Sequence, residues 1–171
     1  MKRLAIFAPD MVVGGAERSV LKLAGGFIDR GYPVDLVLSV AQGPLLAEVP
    51  EGVRLVNLKS QRVLTSLPAL MRYLKREKPD AMLSILHANL VALWARRLAG
   101  ASTRLVVSER NTLSVESHEY RGDLRMRNLP RLVRRYYPWA DSIVADSKGV
   151  AVLKDGLTYP FALQPGAVGA P

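Results

Sequence analysis

The feature that most constrains the fold is a repeated alternation between short apolar runs and longer segments of helical periodicity. The first unit has an apolar run at 4–8, followed by apolar residues spaced three and four apart within 20–27. Further apolar runs occur at 33–39, 53–58, 81–86, 103–108 and 140–147. Such alternation is typical of βαβ units. We therefore predict an α/β fold, a Rossmann-like open and mostly parallel sheet with helices on both faces.

Glycine and proline set the predicted helix boundaries. Gly31 ends the first helix, Pro68 opens a second, and Gly100 ends a third that begins near Asn89. Pro130 interrupts a basic segment at 121–135, so we do not expect that segment to form one unbroken helix.

Size and composition fit one folded domain. The 171 residues are 49% hydrophobic and 23% charged, which is typical of a globular chain. We place the domain at 1–155 and a turn-rich tail at 156–171, where proline and glycine are frequent and charge is absent. We expect this tail to come from a truncated or frameshifted chain. The apolar run that follows 1–3 is too short for a signal peptide or a membrane span, so we predict a cytoplasmic protein.

Residue usage excludes some chemistries and favours a polyanionic partner. The chain has no cysteine, which excludes disulfides and thiolate catalysis, and only two histidines, so we expect no metal site. Lys+Arg total 24 against 15 Asp+Glu, a net charge of +9.

Basic and apolar residues alternate within 121–135, which suggests a peripheral surface for anionic membrane lipid; an ordinary solvated helix face is the alternative. The arginines assigned to this surface are Arg125, Arg131, Arg134 and Arg135.

The candidate site lies at the predicted carboxyl ends of the strands, because parallel sheets bind ligands there. Gly14 and Gly15 join the first strand to the first helix, a construction that presents N–H groups and a helix N-terminus to an anion. A purely structural βα turn would also use glycine. Similar alternatives exist for the other strand ends: Asn89 and Ser147 suit helix caps, and Asp10 suits a loop-fixing role.

Four segments carry a family resemblance. Gly-Gly-Ala-Glu-Arg at 14–18, Ser-Glu-Arg-Asn at 108–111, the segment at 137–141 and Val-Ala-Asp-Ser-Lys-Gly-Val at 144–150 occur in the order and spacing of the family 4 glycosyltransferases. Over about 1–152 the chain resembles the amino-terminal half of these GT-B enzymes. The Ser-Glu-Arg-Asn variant is similar to transferases of surface polysaccharide and lipid-linked oligosaccharide synthesis.

The resemblance implies a partner half and a reaction. GT-B enzymes have two Rossmann-like domains facing a cleft, the amino-terminal one receiving the acceptor and the other holding the nucleotide sugar. The resemblance implies retaining transfer from a UDP- or GDP-sugar to a glycan or lipid-linked acceptor, without an obligatory metal or cofactor. The donor-binding half would have to be supplied in cis or in trans.

The resemblance also implies residue roles. Gly14, Gly15 and Ala16 match the loop that approaches the donor diphosphate. We assign Glu109 and Arg110 to catalysis; Arg110 stands where many members carry histidine, and it cannot act as a base because its pKa is above ~12. It would instead stabilise phosphate charge or bind an acidic acceptor group. The residues assigned to the acceptor are Asp10, Glu17, His87, Asn89, Asn111, Ser147 and Lys148.

Two other functions are weaker alternatives. A nucleotide-binding oxidoreductase domain would carry G-x-G-x-x-G and an acidic residue ending the second strand; the fingerprint is missing and Asp35 lies inside that strand. A basic nucleic-acid-binding module fits the net charge, but no recognition-helix, RRM or zinc signature is present, so nucleic acid is not an expected partner.

Overall fold

The computed structural model describes residues 2–12, 14–109 and 129–145. Strands and helices alternate through these residues, as the sequence predicts. The strands are β1 (Leu4–Ala8), β2 (Val34–Leu38), β3 (Arg54–Asn57), β4 (Ala81–Ile85), β5 (Arg104–Glu109) and β6 (Ser142–Ala145). The α-helices are α1 (Gly15–Asp29), α2 (Leu67–Glu77), α3 (Asn89–Ala99) and α4 (Leu129–Tyr136).

The strands form one open sheet in the order β3-β2-β1-β4-β5-β6. Every pairing in it is parallel. The predicted Rossmann-like α/β sheet is therefore confirmed. Strand order reverses between β1 and β4, and in such sheets the ligand crevice lies outside the carboxyl ends at that reversal.

The core forms two layers, one on each face of the sheet. Alternate residues of β1 point to opposite faces. Ile6 and Ala8 belong to the layer that contains the apolar face of α1. Ala5 and Phe7 belong to the layer that contains α2 and α3. The prediction of helices on both faces is confirmed.

The predicted helix boundaries agree closely with the structure. Gly31 and Gly100 follow α1 and α3 with φ of 78° and 61°, a conformation that favours glycine. Pro68 lies in the first turn of α2, as predicted. Pro130 lies in the first turn of α4, where a missing N–H costs little, so the short helix accommodates it. The last strand, predicted within 140–147, begins only at Ser142, because Ala140 donates its N–H to Tyr137 in a 3-10 turn. Residues 146 and 147 lie outside the described ranges.

A partly buried ionic cluster joins the sheet to α2 at the amino ends of the strands. Asp35 of β2 accepts hydrogen bonds of 2.8 and 2.5 Å from Arg54 and one of 2.6 Å from the Tyr73 hydroxyl. Glu77 accepts from Arg54 at 2.8 Å and from Arg3 at 2.9 Å. Burial, with the hydrogen bond to Asp35, raises the pKa of Tyr73 well above its usual value.

Through Glu77, the ionic cluster makes the free energy of unfolding depend on pH in the acidic range. Hydrogen bonds from Arg54 and then from Arg76 lower the pKa of Glu77 below its ordinary value of 4.5. A carboxyl whose pKa is lower in the folded state stabilises that state above its unfolded pKa, and this contribution is lost as pH falls through the folded pKa. We expect the free energy of unfolding, measured by urea denaturation, to fall below about pH 4.5. Glu77→Gln should flatten this dependence, whereas Glu51→Gln, on an exposed turn, should not. Equal slopes in the two variants would contradict this assignment.

Candidate functional site

The crevice is flanked by the loop after β1 and the turn after β4. The loop leads through Gly14 into α1, and Gly14 is the N-cap residue of that helix. Within the described ranges, no side chain caps this end by a hydrogen bond. The first N–H groups of an α-helix have no partner inside it, so a helix that starts at the crevice points donors and a positive dipole end toward it.

The glycine pair is not needed for backbone conformation. Gly14 is extended, with φ of −171°, and neither Gly14 nor Gly15 has positive φ. The two differ in their surroundings: a Cβ on Gly14 would lie 2.2 Å from Oε2 of Glu17, whereas a Cβ on Gly15 would meet no atom within 4 Å in the part of the chain that the structure describes. Gly14 therefore makes room for the Glu17 carboxylate, and Gly15 leaves open space. A sharp turn therefore does not explain the pair, and the structural reason that remains, room for the Glu17 side chain, applies to Gly14 and not to Gly15.

The loop after β1 is fixed to the connection after β2. Met11 is fully buried, its N–H donates to Gln42 at 2.9 Å, and its carbonyl accepts from Leu45 at 3.2 Å. Within the loop, Asp10 Oδ1 accepts the N–H of Val12 at 3.3 Å. Asp10 therefore fixes the conformation of the loop, which is one of the two roles that the sequence suggests for it.

Gly43 is the glycine that this contact requires. Its φ is 109°, and a Cβ there would lie 2.1 Å from the Met11 carbonyl oxygen. Sequence reasoning did not single out Gly43, because the Gly-Pro pair after β2 predicts only a turn. The close approach of two loops distant in sequence gives no local signal.

The end of β4 contributes an exposed and a buried polar residue. Leu86 has a positive φ of 56°, an uncommon conformation for a branched residue, and His87 beside it is exposed. Asn89 is 1% exposed and belongs to the first turn of α3, so it is not the helix cap that the alternative interpretation suggested. Its amide donates to the Ser108 carbonyl at 3.0 Å and to the Tyr137 hydroxyl at 3.3 Å. Asn89 thus ties the carboxyl end of β5 to α3 from inside the protein.

The predicted site residues at the ends of β5 and β6 lie only partly within the described ranges. Glu109 is the last residue of β5, and its backbone pairs with Ala145 of β6. The sheet therefore brings the ends of β1, β4, β5 and β6 to one edge. The predicted residues outside the described ranges are Arg110, Asn111, Arg125, Ser147 and Lys148.

Three of the four arginines assigned to an anionic surface lie elsewhere, on α4. Arg131, Arg134 and Arg135 are all exposed. In the part of the chain that the structure describes, no helix is long and apolar enough to cross a bilayer. The same residues contain no group of three or more potential metal-binding side chains.

The alternative interpretation, a nucleotide-binding oxidoreductase domain, requires an acidic residue near the end of β2, at the crevice. Asp35 is the second residue of β2 and is held by Arg54 and Tyr73 in the ionic cluster. The residue that follows β2 is Ser39, which is buried and bonded to Ser66. An acid that binds a ribose would have to stand near the end of β2.

Comparison with known proteins identifies the fold and the family. The lipopolysaccharide outer core galactosyltransferase WaaB, in its apo form, superimposes with a TM-score of 0.61 at 15% identity, over 88% of this chain and 41% of that one. MurG of Acinetobacter baumannii superimposes with a TM-score of 0.59 at 16% identity, over 95% of this chain and 47% of that one. The chain thus spans less than half of either structure, and identities this low show a shared fold only. No curated protein matches the chain.

The family model for Glycosyltransferase Family 4 matches residues 13–152. This match begins in the glycine loop and extends beyond β6, so it includes every strand end that flanks the crevice except that of β1 itself. The motifs that carried the resemblance lie inside it. The chain belongs to glycosyltransferase family 4.

Proposed function

We propose that this chain is the acceptor-side domain of a retaining glycosyltransferase. In this proposal it moves a sugar from a UDP- or GDP-sugar to a glycan or lipid-linked acceptor of surface polysaccharide or oligosaccharide synthesis. The family 4 match over 13–152 carries the proposal. A donor-binding half, in cis or in trans, completes the cleft, and no metal or further cofactor is obligatory.

The glycine loop takes the donor-phosphate role in this proposal. Transfer breaks the bond between the sugar and the diphosphate, so negative charge grows on the leaving group. The N-terminus of α1 offers N–H groups and a positive dipole end to that charge. The open space beside Gly15 supports close approach of a phosphate to the backbone. The Glu17 carboxylate now lies beside Gly14, so we expect it to move aside or to bind an acceptor hydroxyl when the diphosphate arrives.

The remaining roles follow from the strand ends. The exposed His87 is available to an acceptor hydroxyl at the crevice. Glu109, Arg110 and Asn111 continue from β5, and Arg110 would add a fixed positive charge to the leaving diphosphate. Ser147 and Lys148 would meet the acceptor from the end of β6. Asn89 supports these roles indirectly, because its amide holds the β5 carboxyl end in place.

Amide NMR titration of the 171-residue chain with UDP- and GDP-sugars tests the donor role. We expect weak binding, since the donor-binding half is not part of this domain, with shifts centred on the amides of Gly14, Gly15 and Ala16. Gly15→Ala should abolish these shifts without loss of stability, because the new methyl group meets no atom of the described residues within 4 Å. Gly26→Ala, at a half-buried position in the last part of the same helix, is the matched control and should titrate like the wild type.

A transfer assay tests the two-half requirement separately. The chain is supplied with labelled nucleotide sugars and lipid-linked acceptors, alone and together with a donor-binding domain. We expect turnover only with both halves. Turnover by the chain alone at ordinary enzyme rates would refute the need for a second half. Identical titration shifts in the wild type and in Gly15→Ala would refute the donor-phosphate role of the loop.

A further inference from the structure

The turn between β4 and α3 is short and changes direction at one strained residue. Leu86–Ala88 form a 3-10 turn between the end of β4 and the start of α3. The N–H of Asn89 donates to the Leu86 carbonyl and closes this turn. Ile85 is still extended, with φ of −127° and ψ of 156°, whereas Leu86 has φ of 56°. The chain therefore leaves the direction of the strand at Leu86 itself.

Leucine is an unfavourable residue for this conformation. A side chain in the left-handed region brings Cβ close to the following carbonyl oxygen, a contact that glycine avoids. Asparagine and aspartate can offset the strain by a local hydrogen bond, and leucine has no polar group to do so. Such strain persists only where the surrounding structure fixes the residue, and it is frequent at functional sites. The surroundings of Leu86 must therefore hold it in place.

The turn is anchored in both layers of the core. The side chain of Leu86 is half-buried and packs against the layer that contains α1. Ala88 is fully buried in the opposite layer, which contains α2 and α3. Asn89 is also buried, and its amide donates to the Ser108 carbonyl. The two ends of the turn are thus held on opposite faces of the sheet.

His87 is the exposed residue between these anchors. It lies between the half-buried Leu86 and the fully buried Ala88. On a backbone that is fixed on both sides, the imidazole can move only through its own side-chain torsions. A histidine that hydrogen-bonds a substrate hydroxyl must lie within about 3.2 Å of it. A misplacement of about 1 Å can lower a rate by about 100-fold, so a rigid turn suits a histidine that contacts substrate.

We propose that Leu86 is a positioning residue. Its anchored side chain holds the strained turn between β4 and α3, and the turn in turn presents His87 at the edge of the crevice in a fixed position. Glycine would adopt the same φ without strain but would leave the turn without an anchor on the side of α1. The inference rests on the proposed function in one respect, the role given to His87 toward an acceptor hydroxyl. The restraint of His87 by Leu86 does not depend on that role.

A simpler interpretation is that Leu86 only fills the core on the side of α1. Leu83 separates the two interpretations, because it is a half-buried leucine that packs against the same layer but lies within β4, ahead of the turn. If packing alone matters, truncation of either leucine should lower stability and leave the mobility of His87 unchanged.

Backbone amide relaxation of the full chain, measured by NMR, tests the restraint. We expect an order parameter of about 0.85 at the His87 amide in the wild type and a fall toward about 0.6 in Leu86→Gly. Leu86→Met, which keeps an apolar anchor, and Leu83→Ala should both retain the wild-type value. An unchanged order parameter in Leu86→Gly, or an equal fall in Leu83→Ala, would overturn the proposal.

Urea denaturation tests the strain at the same residue. Leu86→Gly should unfold at a higher urea concentration than Leu86→Ala, because only glycine adopts the positive φ freely. At ordinary positions in helices and strands the order of these two residues is the reverse. A lower midpoint for Leu86→Gly would show that the turn holds no strain, and the proposal would fail.

The transfer assay with a donor-binding domain tests the role of His87 separately. His87→Ala and Leu86→Gly should each lower kcat/KM by about tenfold or more. The double variant should lose no more than His87→Ala alone, because Leu86 acts through His87. If the double variant instead loses the product of the two factors, Leu86 does not act through His87. If His87→Ala transfers like the wild type while Leu86→Gly still loosens the turn, the restraint is supported and the acceptor role of His87 in the proposed function is wrong.

Discussion

Gly43→Ala is expected to lower the free energy of unfolding by about 3 kcal/mol or more, the sum of backbone strain and a steric clash. The φ of 109° disfavours any L side chain, and the new Cβ would lie 2.1 Å from the Met11 carbonyl oxygen. The atom it meets belongs to backbone, so no side-chain rotation can relieve the contact. The two loops must separate, and the hydrogen bonds between them are lost.

The matched control is Gly31→Ala. Gly31 also has positive φ, 78°, but a Cβ there would meet none of the described atoms within 4 Å. We expect a loss of about 1 kcal/mol from strain alone. Chemical denaturation gives both values, and the difference between them isolates the clash. Equal losses would show that the two loops do not depend on close approach at Gly43.

Gly43→Ala should also affect the candidate site. Separation of the loops frees the segment that leads to Gly14, so hydrogen exchange at the Met11 and Leu45 amides should become faster in Gly43→Ala but not in Gly31→Ala. In the proposed function, the loop would then lose its fixed position against the donor diphosphate. Unchanged exchange at these two amides would contradict the coupling.

Asp35→Ala is expected to destabilise the fold by about 3 kcal/mol, at the lower end of the range for breaking a buried ion pair. The side chain of Asp35 is 3% exposed, and its loss leaves the Tyr73 hydroxyl without its acceptor. The lower figure is chosen because Arg54 is 45% exposed and can recover part of its hydration.

Asp29→Ala, which removes an exposed carboxylate from the end of α1, should stay within about 0.5 kcal/mol of the wild type. Tyr73→Phe removes one hydrogen bond but leaves Asp35 paired with Arg54, so we expect about 1 kcal/mol. Urea denaturation at neutral pH measures all three variants. A loss below 1 kcal/mol for Asp35→Ala would mean that the cluster contributes little to stability.

Much of the fold was predictable because its signals are local. Short apolar runs alternate with helical periodicity, and this alternation follows from the way each element buries one face or both. Gly31, Pro68 and Gly100 mark helix ends through their own backbone preferences. The strand predicted from residue 140 begins at Ser142 instead, because the 3-10 turn at 137–139 is stabilised by contacts from α3 that the local sequence does not report.

The location of the candidate site residues at the strand ends was predictable, but their burial and hydrogen-bond partners were not. The glycine pair, His87 and Glu109 were placed at strand ends, and the parallel sheet brings those ends to one edge. The sequence could not show that Gly14 makes room for Glu17, or that Asn89 is buried behind the site. Burial and hydrogen-bond partners of a polar residue depend on segments distant in the chain, so identical sequence patterns suit a cap, a core group or a ligand contact.

By itself, the sequence determined the class of fold, its order of strands and helices along the chain, and the motifs of family 4, since each of these is written in neighbouring residues. Only the tertiary structure decided the strand order in the sheet, the need for glycine at 43, and the partners of Asp35 and Asn89. The physical reason is the same in each case. Close approach, burial and charge pairing are set by atoms that are near in space and far apart in the chain, and no local pattern of residue types carries that information.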